Sequence, residues 1–382
     1  MQVPVFSTQT ALAEDWESGR FLGRIETPEG PSPVLVEGGV AYDMSRVAPT
    51  ASELVEHGLL DASRGAALGR LPDVIAGGTG LLSPIDLQCV KAAGVTFAIS
   101  AIERVIEERA RGDAGRAAEI RERFENQIGG SIRGLKPGSP EAASLKQALI
   151  EDGLWSQYLE VAIGPDAEMF SKAPVLSSVG WGAEVGIRSG STWNNPEPEI
   201  AILADSSGRP VGATLGNDVN LRDIEGRSAL LLGKAKDANA SCALGPLVRL
   251  FDDGFTMEDV RRARVDLTVE GDDGFVLNGM SSMDEISRDP LDLLGQAADE
   301  HNFPDGYIVF LGTMFAPTDD RDIPGRGFTH KLGDLVTISS PRIGKLVNRV
   351  TTSKRAPPWS LGIGGLMRNL AQRGLLEQRD GS

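Results

Sequence analysis

The sequence has few of the residues that build disulfide frameworks and zinc sites. Among its 382 residues are only two cysteines and three histidines. The cysteines, Cys89 and Cys242, lie far apart and form no C-x-x-C pair, so the sequence supports neither a disulfide scaffold nor a zinc knuckle. A chain that uses cysteine so sparingly fits a reducing cytoplasm.

Long apolar runs and clusters of basic residues are also missing. No stretch approaches the length that a bilayer-spanning helix needs, and the start, MQVPVFSTQTALAEDWESG, lacks the basic and apolar parts of a signal peptide. The formal net charge is −16, and no Lys/Arg cluster supplies the basic face that phosphate binding requires. We therefore expect a cytoplasmic protein that binds neither nucleic acid nor a membrane.

Turn-forming residues are plentiful, with 46 glycines and 22 prolines, and short strand-like segments predict an α+β, β-rich fold. The segments FLGRIE and PVLVEGGVAYDM, followed by a helical TASELVEHGLL, predict a small N-terminal β-rich domain over residues 1–80. A larger catalytic domain is expected over residues 81–382. Within it, GVTFAIS has the apolar, β-branched character of a buried strand.

A helical segment is expected at about residues 101–150, inside the larger domain. Apolar residues such as Ile102 and Val105 recur on one face there, with charged residues on the others. A second helix is expected to start at Asp113 and run through Phe124. A third should begin where Ser139 precedes a proline.

Three acidic residues recur in the stretch NNPEPEIAILADSSGRPVGATLGNDVNLRD, residues 194–223. Glu197 and Glu199 are two residues apart, so in an extended strand their side chains point to the same side. The turn signal DSSGRP predicts a hairpin with VGATLG as the return strand. Counting back from the turn brings the neighbourhood of Asp218 opposite the two glutamates, so the three carboxylates should converge.

Three convergent carboxylates repel one another unless water, cations or a metal ion compensates their charge. Mg²⁺ commonly binds a few carboxylates, whereas zinc more often recruits histidine or cysteine, and neither lies nearby in the sequence. The spacing alone leaves two interpretations open: a metal site, and a charged hairpin exposed to solvent.

The motifs in this part of the chain resemble those of the fumarylacetoacetate hydrolase family. The E-x-E pair and GNDVNLRD are similar to the family's metal-binding core, and FSKAP, FLGTMFAP, KLGDLVTIS and IGKLVNRV occur in the family's order. The resemblance covers roughly residues 84–376. It implies a rolled mixed β-sandwich with a small N-terminal domain, and a site for Mg²⁺ or Mn²⁺ formed by Glu197, Glu199 and Asp218.

A closer resemblance links WNNPEPE, GNDVNLRDIEGRSALLLGKAKD and GFTHKLGD to the branch of 2-keto-3-deoxypentonate dehydratases. It implies a small-molecule 2-keto-3-deoxy sugar acid as substrate, the D-xylonate form in particular, with 2,5-dioxopentanoate as the product. By analogy with this family we also expect a homodimer or homotetramer. Two alternatives stay open: a hydrolase or decarboxylase of acylpyruvate-like acids, and a noncatalytic metal-binding assembly protein.

The resemblance also implies catalytic roles. Lys172 would position a substrate anion and Lys236 would take part in proton transfer, although either could instead be a solvated surface lysine. Hydrolases of the family often place a His-x-x-Glu pair where this chain has Ser100 and Glu103. The missing histidine favours a reaction that expels water, with Glu103 as the candidate acid/base and Glu107 in reserve; a solvent-facing Glu103 is the alternative.

Further polar residues are expected to contact the substrate. Thr313, in LGTM, matches a family threonine near the substrate carboxylate, and the others lie around the predicted hairpin or, in one case, at the missing histidine. The candidate substrate-binding residues are Ser100, Thr313, Arg188, Asn194 and Asn217. Arg188 could instead be an ordinary surface arginine.

Overall fold

The computed structural model describes residues 11–76, 80–117, 120, 134–324 and 327–376, with Ile99 described only in its backbone. Its strands are β1 (Phe21–Thr27), β2 (Gly30–Glu37), β3 (Val40–Asp43), β4 (Ala66–Arg70), β5 (Cys89–Gly94), β6 (Glu168–Ala173), β7 (Glu184–Ile187), β8 (Pro198–Ala204), β9 (Pro210–Asp218), β10 (Cys242–Leu250), β11 (Arg264–Glu270), β12 (Val276–Ser282), β13 (Tyr307–Phe310), β14 (Leu335–Ser340) and β15 (Gly344–Thr352).

Helices connect these strands. They are α1 (Ala51–Glu56), α2 (Leu71–Ala76), α3 (Ala98–Ala110), α4 (Pro140–Glu151), α5 (Gln157–Ile163), α6 (Arg222–Glu225), α7 (Leu232–Lys236), α8 (Met257–Arg261), α9 (Pro290–Ala298) and α10 (Ile363–Gln372), with 3₁₀ turns at Ala62–Arg64, Ala229–Leu231 and Met283–Glu285. None of the helices in the described part of the chain is long and apolar enough to cross a bilayer.

The described strands form two mixed sheets, as an α+β, β-rich fold requires. The larger has ten strands in the order β4-β3-β2-β1-β10-β9-β8-β13-β5-β6, and the smaller has five in the order β12-β11-β14-β15-β7. Most neighbours are antiparallel, but β13 pairs with β5, and β15 with β7, in parallel. A large core of buried apolar side chains spans both sheets, with Ile200 and Ile202 of β8 and Ile338 of β14 among its members.

The hairpin formed by β8 and β9 lies at the centre of the larger sheet. As the sequence predicts, it turns at DSSGRP, and Glu199 pairs with Gly216 across it. Both strands are buried along nearly their whole length because β13 and β10 flank them. Side chains at the open end of this hairpin therefore enter the protein interior.

The N-terminal strands continue the larger sheet, because β1 pairs with β10. Leu22 and Leu54 also share an apolar core with Leu203 and Phe310 of the central strands. The strands and helix predicted before residue 80 are present as β1 to β3 and α1. A domain boundary at residue 80 remains a prediction.

The strand predicted for GVTFAIS is wrong. β5 ends at Gly94, and Val95 adopts a left-handed backbone with φ of 59°, which ends the strand. Phe97 is extended and precedes α3, so the last residues of the motif are helical. The segment is rich in apolar and β-branched residues because it is buried. Burial is found at the end of a strand or the start of a helix as well as within a strand.

Two of the three predicted helices are confirmed. α3 covers the first, and α4 begins at Pro140, where the Ser139 side chain accepts a hydrogen bond from the backbone of Ala142. For the second helix, residues 114–117 are helical, but most of the expected course through Phe124 lies outside the described residues.

Candidate metal centre and its cleft

The three predicted carboxylates meet at the open end of the β8–β9 hairpin. One carboxylate oxygen from each of Glu197, Glu199 and Asp218 can be chosen so that the three lie within 4.8 Å of one another. The backbone N–H of Asp218 donates to the carbonyl of Glu197 over 3.1 Å, which sets the register of this end. All three side chains are at most 2% exposed, so the exposed-hairpin interpretation is wrong.

Three cationic side chains surround two of these acids. The Lys236 ammonium contacts Oε2 of Glu197 and lies 3.0 Å from Oδ2 of Asp218. Lys172 lies 2.6 Å from Oδ1 of Asp218, and its ammonium also donates to the carbonyl oxygen of Lys236. Arg104 donates to Oε1 of Glu197 over 2.5 Å. Both lysines are buried, so neither is a solvated surface lysine.

Glu199 is held differently, by the segment that follows β13. The backbone N–H of Gly312 donates to its Oε2 over 2.8 Å, and the Thr313 hydroxyl lies 3.2 Å from Oε1. The Ser100 hydroxyl, on the first turn of α3, donates to the carbonyl oxygen of Thr313. Ser100 thus fixes the backbone that holds Glu199, which is a positioning contact.

The pKa values of Glu197 and Glu199 shift in opposite directions because cationic side chains among the described residues contact Glu197 but not Glu199. Burial tends to raise the pKa of Glu197, but Lys236 and Arg104 outweigh it and lower that pKa to about 2. Burial also raises the pKa of Glu199, and the nearby charges of Asp218 and Glu197 push it well above its usual value. The protein therefore compensates a negative charge on Glu199 only in part.

These features fit a bound cation. Three carboxylates provide the hard oxygen ligands that Mg²⁺ and Mn²⁺ prefer. Oδ1 of Asp218 is buried and has no hydrogen-bond partner among the described residues, since Lys172 is close to it but outside hydrogen-bond geometry. A divalent ion would satisfy this oxygen and favour the ionised form of Glu199. The triad is a site able to bind a metal ion.

A cleft opens beside the triad and is rich in acidic groups. Six of its lining residues are acidic and two are basic; the charged lining residues are Glu103, Arg104, Glu107, Glu168, Glu197, Asp218, Glu225 and Lys236. Gly94 also lines it, and a side chain there would collide with the Glu168 carboxylate. Burial raises the pKa of Glu168, with Arg104 and Lys236 opposing the effect.

The predicted acid/base Glu103 lines this cleft and is buried, so the solvent-facing alternative is wrong. Its Oε2 accepts a hydrogen bond from Arg222 over 2.7 Å. Two charged neighbours on α3 are enclosed with it, because Arg104 and Glu107 are buried too. Helices α5 and α6 pack against α3 and enclose these charges.

The structure does not bring every predicted substrate-binding residue to the cleft. Thr313 and Ser100 line it. Asn217 is fully buried behind it and accepts a hydrogen bond from the backbone of Glu197 over 3.1 Å. Asn194 bonds to Ser191 and does not line the cleft. Arg188 lies in a separate groove, where it donates to the carbonyl of Lys234 over 2.7 Å.

Sequence reasoning missed four charged residues of the site: Arg104, Glu168, Arg222 and Glu225. Arg104 adjoins Glu103, Arg222 lies within the motif GNDVNLRD, and Glu168 lies four residues before Lys172. The available signal for these three was their place beside or within a motif of the predicted site. Glu225 lies two residues beyond GNDVNLRD, and its sequence neighbours do not indicate that it is buried.

The sequence comparisons place the chain in a known family. The model of the fumarylacetoacetate (FAA) hydrolase C-terminal domain matches residues 157–351, which include the three carboxylates and both lysines. The chain belongs to the fumarylacetoacetate hydrolase family. The expected family resemblance is thus confirmed.

Two curated relatives are dehydratases. The chain is 31% identical over 202 residues to a probable 2-keto-3-deoxyxylonate dehydratase of Haloferax volcanii, an alignment covering 53% of this chain and 66% of the relative. It is 29% identical over 195 residues to the 2-dehydro-3-deoxy-D-arabinonate dehydratase of Saccharolobus solfataricus, covering 49% of this chain and 60% of the relative. The matches span less than two thirds of either relative.

A solved structure confirms the fold. The 2-keto-3-deoxy-D-arabinonate dehydratase complexed with magnesium and 2,5-dioxopentanoate superposes with a TM-score of 0.62, covering 87% of this chain and 99% of that chain at 20% identity. The fumarylacetoacetate hydrolase of Exiguobacterium antarcticum superposes with a TM-score of 0.56 at 17% identity over the same shares of the two chains. Both dehydratases and hydrolases share this fold, so the reaction has to be argued from the site.

Proposed function

We propose that this chain is a metal-dependent dehydratase that converts 2-keto-3-deoxy-D-xylonate to 2,5-dioxopentanoate and water, with Mg²⁺ at the three carboxylates. The observation that carries the proposal is the buried triad beside a cleft lined by further acids. The names of both curated relatives support it. Loss of C2 and C3 stereochemistry makes the D-xylonate and D-arabinonate derivatives one compound, so the two names agree on the substrate.

The charges of the cleft favour a hydroxylated substrate over a dicarboxylate. Both basic lining residues, Arg104 and Lys236, already bond to acids. A substrate with a second, distal carboxylate would therefore find no available cation among the described lining residues and would face repulsion. Hydroxyl groups can instead donate hydrogen bonds to the lining carboxylates. This contrast argues against a hydrolase or decarboxylase of acylpyruvates that carry a distal carboxylate.

Glu197, Glu199 and Asp218 would hold the ion. A divalent cation bound there acts as a Lewis acid that stabilises negative charge on the keto oxygen of a 2-keto acid. Gly312 and Thr313 orient Glu199, Lys236 helps to keep Glu197 ionised, and both lysines contact Asp218. The noncatalytic alternative does not account for the additional acids and lysine that line the cleft.

Dehydration requires one group to accept the C3 proton and another to deliver a proton to the departing C4 hydroxyl. The C3–H and C4–O bonds break, a double bond forms between C3 and C4, and water leaves. In the allylic alcohol that remains, C5 and its hydroxyl each lose a proton while C3 and C4 each gain one, which makes C5 the aldehyde. We assign delivery of a proton to Glu168 and Lys236 and acceptance of the C3 proton to Glu103, because all three line the cleft.

The raised pKa of Glu168, caused mainly by burial, keeps a proton on this carboxyl to higher pH than usual. That property suits the general acid at the C4 hydroxyl. Glu103 is tied to Arg222, an interaction that fixes its carboxylate at the cleft wall. Lys172 and Thr313 are assigned to positioning, Lys172 through Asp218 and Thr313 through Glu199.

A product analysis tests the proposal. Purified protein with Mg²⁺ is incubated with 2-keto-3-deoxy-D-xylonate, with its C4 epimer, and with an acylpyruvate carrying a distal carboxylate, and each mixture is followed by NMR in D₂O. We expect 2-keto-3-deoxy-D-xylonate to lose its C4 hydroxyl and to gain a C5 aldehyde, and we expect the acylpyruvate to remain unchanged. Cleavage of the acylpyruvate without conversion of the sugar acids would establish a hydrolase, and pyruvate with glycolaldehyde would establish an aldolase.

A further inference from the structure

The guanidinium of Arg104 lies at the meeting point of three buried carboxylates. Its NH1 lies 2.7 Å from Oε2 of Glu107 and 2.9 Å from Oε2 of Glu225, and its NH2 lies 2.5 Å from Oε1 of Glu197. Arg104 is 9% exposed. One side chain of α3 thus contacts α6 and the residue just before β8, and the latter partner, Glu197, belongs to the metal triad.

A second arginine fixes this arrangement from behind. Arg222 donates from Nε to Oε1 of Glu107 over 2.6 Å and from NH2 to Glu103 over 2.7 Å. Its guanidinium also stacks on the Trp193 ring, with 4.4 Å to the ring centroid. Because Glu107 is bonded on both oxygens, it holds the Arg104 fork in one place.

The two oxygens of Glu197 have different partners as a result. Arg104 donates a hydrogen bond to Oε1, whereas Oε2 contacts the Lys236 ammonium. That ammonium lies 3.0 Å from Oδ2 of Asp218. The contact with Arg104 therefore turns Oε2 toward the other triad acids. The guanidinium holds Glu197 and Glu107 through two different nitrogens in one rigid plane, a geometry that the single nitrogen of a lysine does not reproduce.

We propose that Arg104 is a positioning residue that presents one oxygen of Glu197 to the metal ion. The inference rests on the proposed metal site and adds a residue that neither touches the ion nor needs to touch the substrate. Groups that orient metal ligands typically contribute about 10–100-fold to metal affinity. A role limited to neutralising buried charge would give a different result, because lowering the positive charge beside the site would strengthen cation binding.

The test separates these effects by keeping the charge and removing the fork. Mn²⁺ binding to the full chain is titrated by electron paramagnetic resonance for the parent, Arg104→Lys and Arg109→Lys, the last being the same change on the same helix but away from the cleft. We expect Arg104→Lys to raise the Mn²⁺ Kd about 10–100-fold and Arg109→Lys to leave it unchanged. Equal Kd values for Arg104→Lys and the parent would overturn the inference.

A second variant guards against a folding defect in Arg104→Lys. At pH 8, Arg104→Met combined with Glu225→Gln removes one positive and one negative charge, so the buried net charge is unchanged. The inference predicts weak Mn²⁺ binding here too, in protein whose circular dichroism matches the parent. Parent-like or tighter binding would overturn it. A parent that binds no Mn²⁺ would refute the metal site itself, whereas a parent that binds Mn²⁺ but fails to dehydrate sugar acids would refute only the proposed reaction.

Discussion

Lys236 and Lys234 are two residues apart on α7 and lie in opposite environments. Lys236 is 2% exposed and contacts Glu197 and Asp218 in the cleft. Lys234 is exposed and lines a separate basic groove, whose cationic residues are Arg188, Arg227, Lys234 and Lys354. The acid-rich cleft and the basic groove therefore lie on different sides of one short helix.

The comparison of the two lysines shows that the pKa of a side chain depends on its burial among other charges, and not on its own charge alone. Burial tends to lower the pKa of Lys236, but Asp218 and Glu197 raise it above its usual value. In the cleft, each cation has a carboxylate within ion-pair distance and little water to screen it. An exposed cation such as Lys234 is screened by solvent, so its charge has a much weaker effect on its neighbours.

The largest expected difference between the two regions concerns these lysines. With saturating Mg²⁺, Lys236→Met should lower kcat for the sugar acid about 10²–10⁴-fold, because methionine keeps most of the length of the side chain but can neither carry nor transfer a proton. Lys234→Met is the matched control and should keep nearly parental turnover. Steady-state assays of both variants, with thermal unfolding curves to show that they fold, make the comparison.

Equal losses in the two lysine variants would contradict the separation of cleft and groove. Near-parental turnover of Lys236→Met would leave the separation in place but remove Lys236 from proton transfer, and Glu168 and Glu103 would then be tested by replacement with glutamine.

The next difference is in the response to pH. Burial raises the pKa of Glu225 to about 7, with Arg104 and Lys236 opposing this rise and Glu197 and Glu107 adding to it. A pKa that is higher in the folded state favours folding in full below the unfolded value, and that contribution is lost as pH rises through about 7. As the pH rises from 5 to 8, the metal-free protein should therefore lose the stability that protonation of Glu225 contributes.

Glu225→Gln removes this titration. Its free energy of unfolding relative to that of the parent should therefore increase, by on the order of 3 kcal/mol, when the pH is raised from 5 to 8. Urea unfolding in the presence of a chelator at both pH values measures the change. Glu285→Gln, at an exposed position, controls for the substitution itself. A difference between Glu225→Gln and the parent that is the same at both pH values would show that Glu225 is ionised throughout.

The smallest effect is expected in the basic groove. Arg188 donates only to the backbone carbonyls of Lys234 and Asp237 among its described hydrogen bonds, and it does not line the cleft. Arg188→Ala should therefore change kcat/KM by less than about threefold, within the range of ordinary surface substitutions. A loss of 10²-fold or more, typical of a group that acts on the substrate, would restore Arg188 to the substrate site and join the two regions functionally.

The convergence of Glu197, Glu199 and Asp218 was predictable because strand alternation and a clear turn signal fix a hairpin register. Their burial was not, since it depends on β10 and β13, which are contributed by distant parts of the chain. The same limit explains Arg104. Its position on α3 was predictable, but its partner Glu225 approaches only through the tertiary fold.

The error at GVTFAIS has a related cause. Apolar and β-branched residues mark burial, and the sequence does not distinguish a buried strand from a buried turn that enters a helix. The backbone of Val95 decides the matter, with φ of 59° where a strand would need an extended conformation. Placing α3 from Ala98 also turns Ser100 toward the Thr313 carbonyl, a contact that strand geometry would not have suggested.

The most direct test of the account is to locate a bound cation. Crystals grown with Mn²⁺ and measured for anomalous scattering should show one peak coordinated by Glu197, Glu199 and Asp218, and that peak should disappear in Asp218→Asn. Such a peak would establish that the buried acids form a metal centre. An empty triad in crystals soaked at saturating Mn²⁺, or a peak that persists there in Asp218→Asn, would contradict the account.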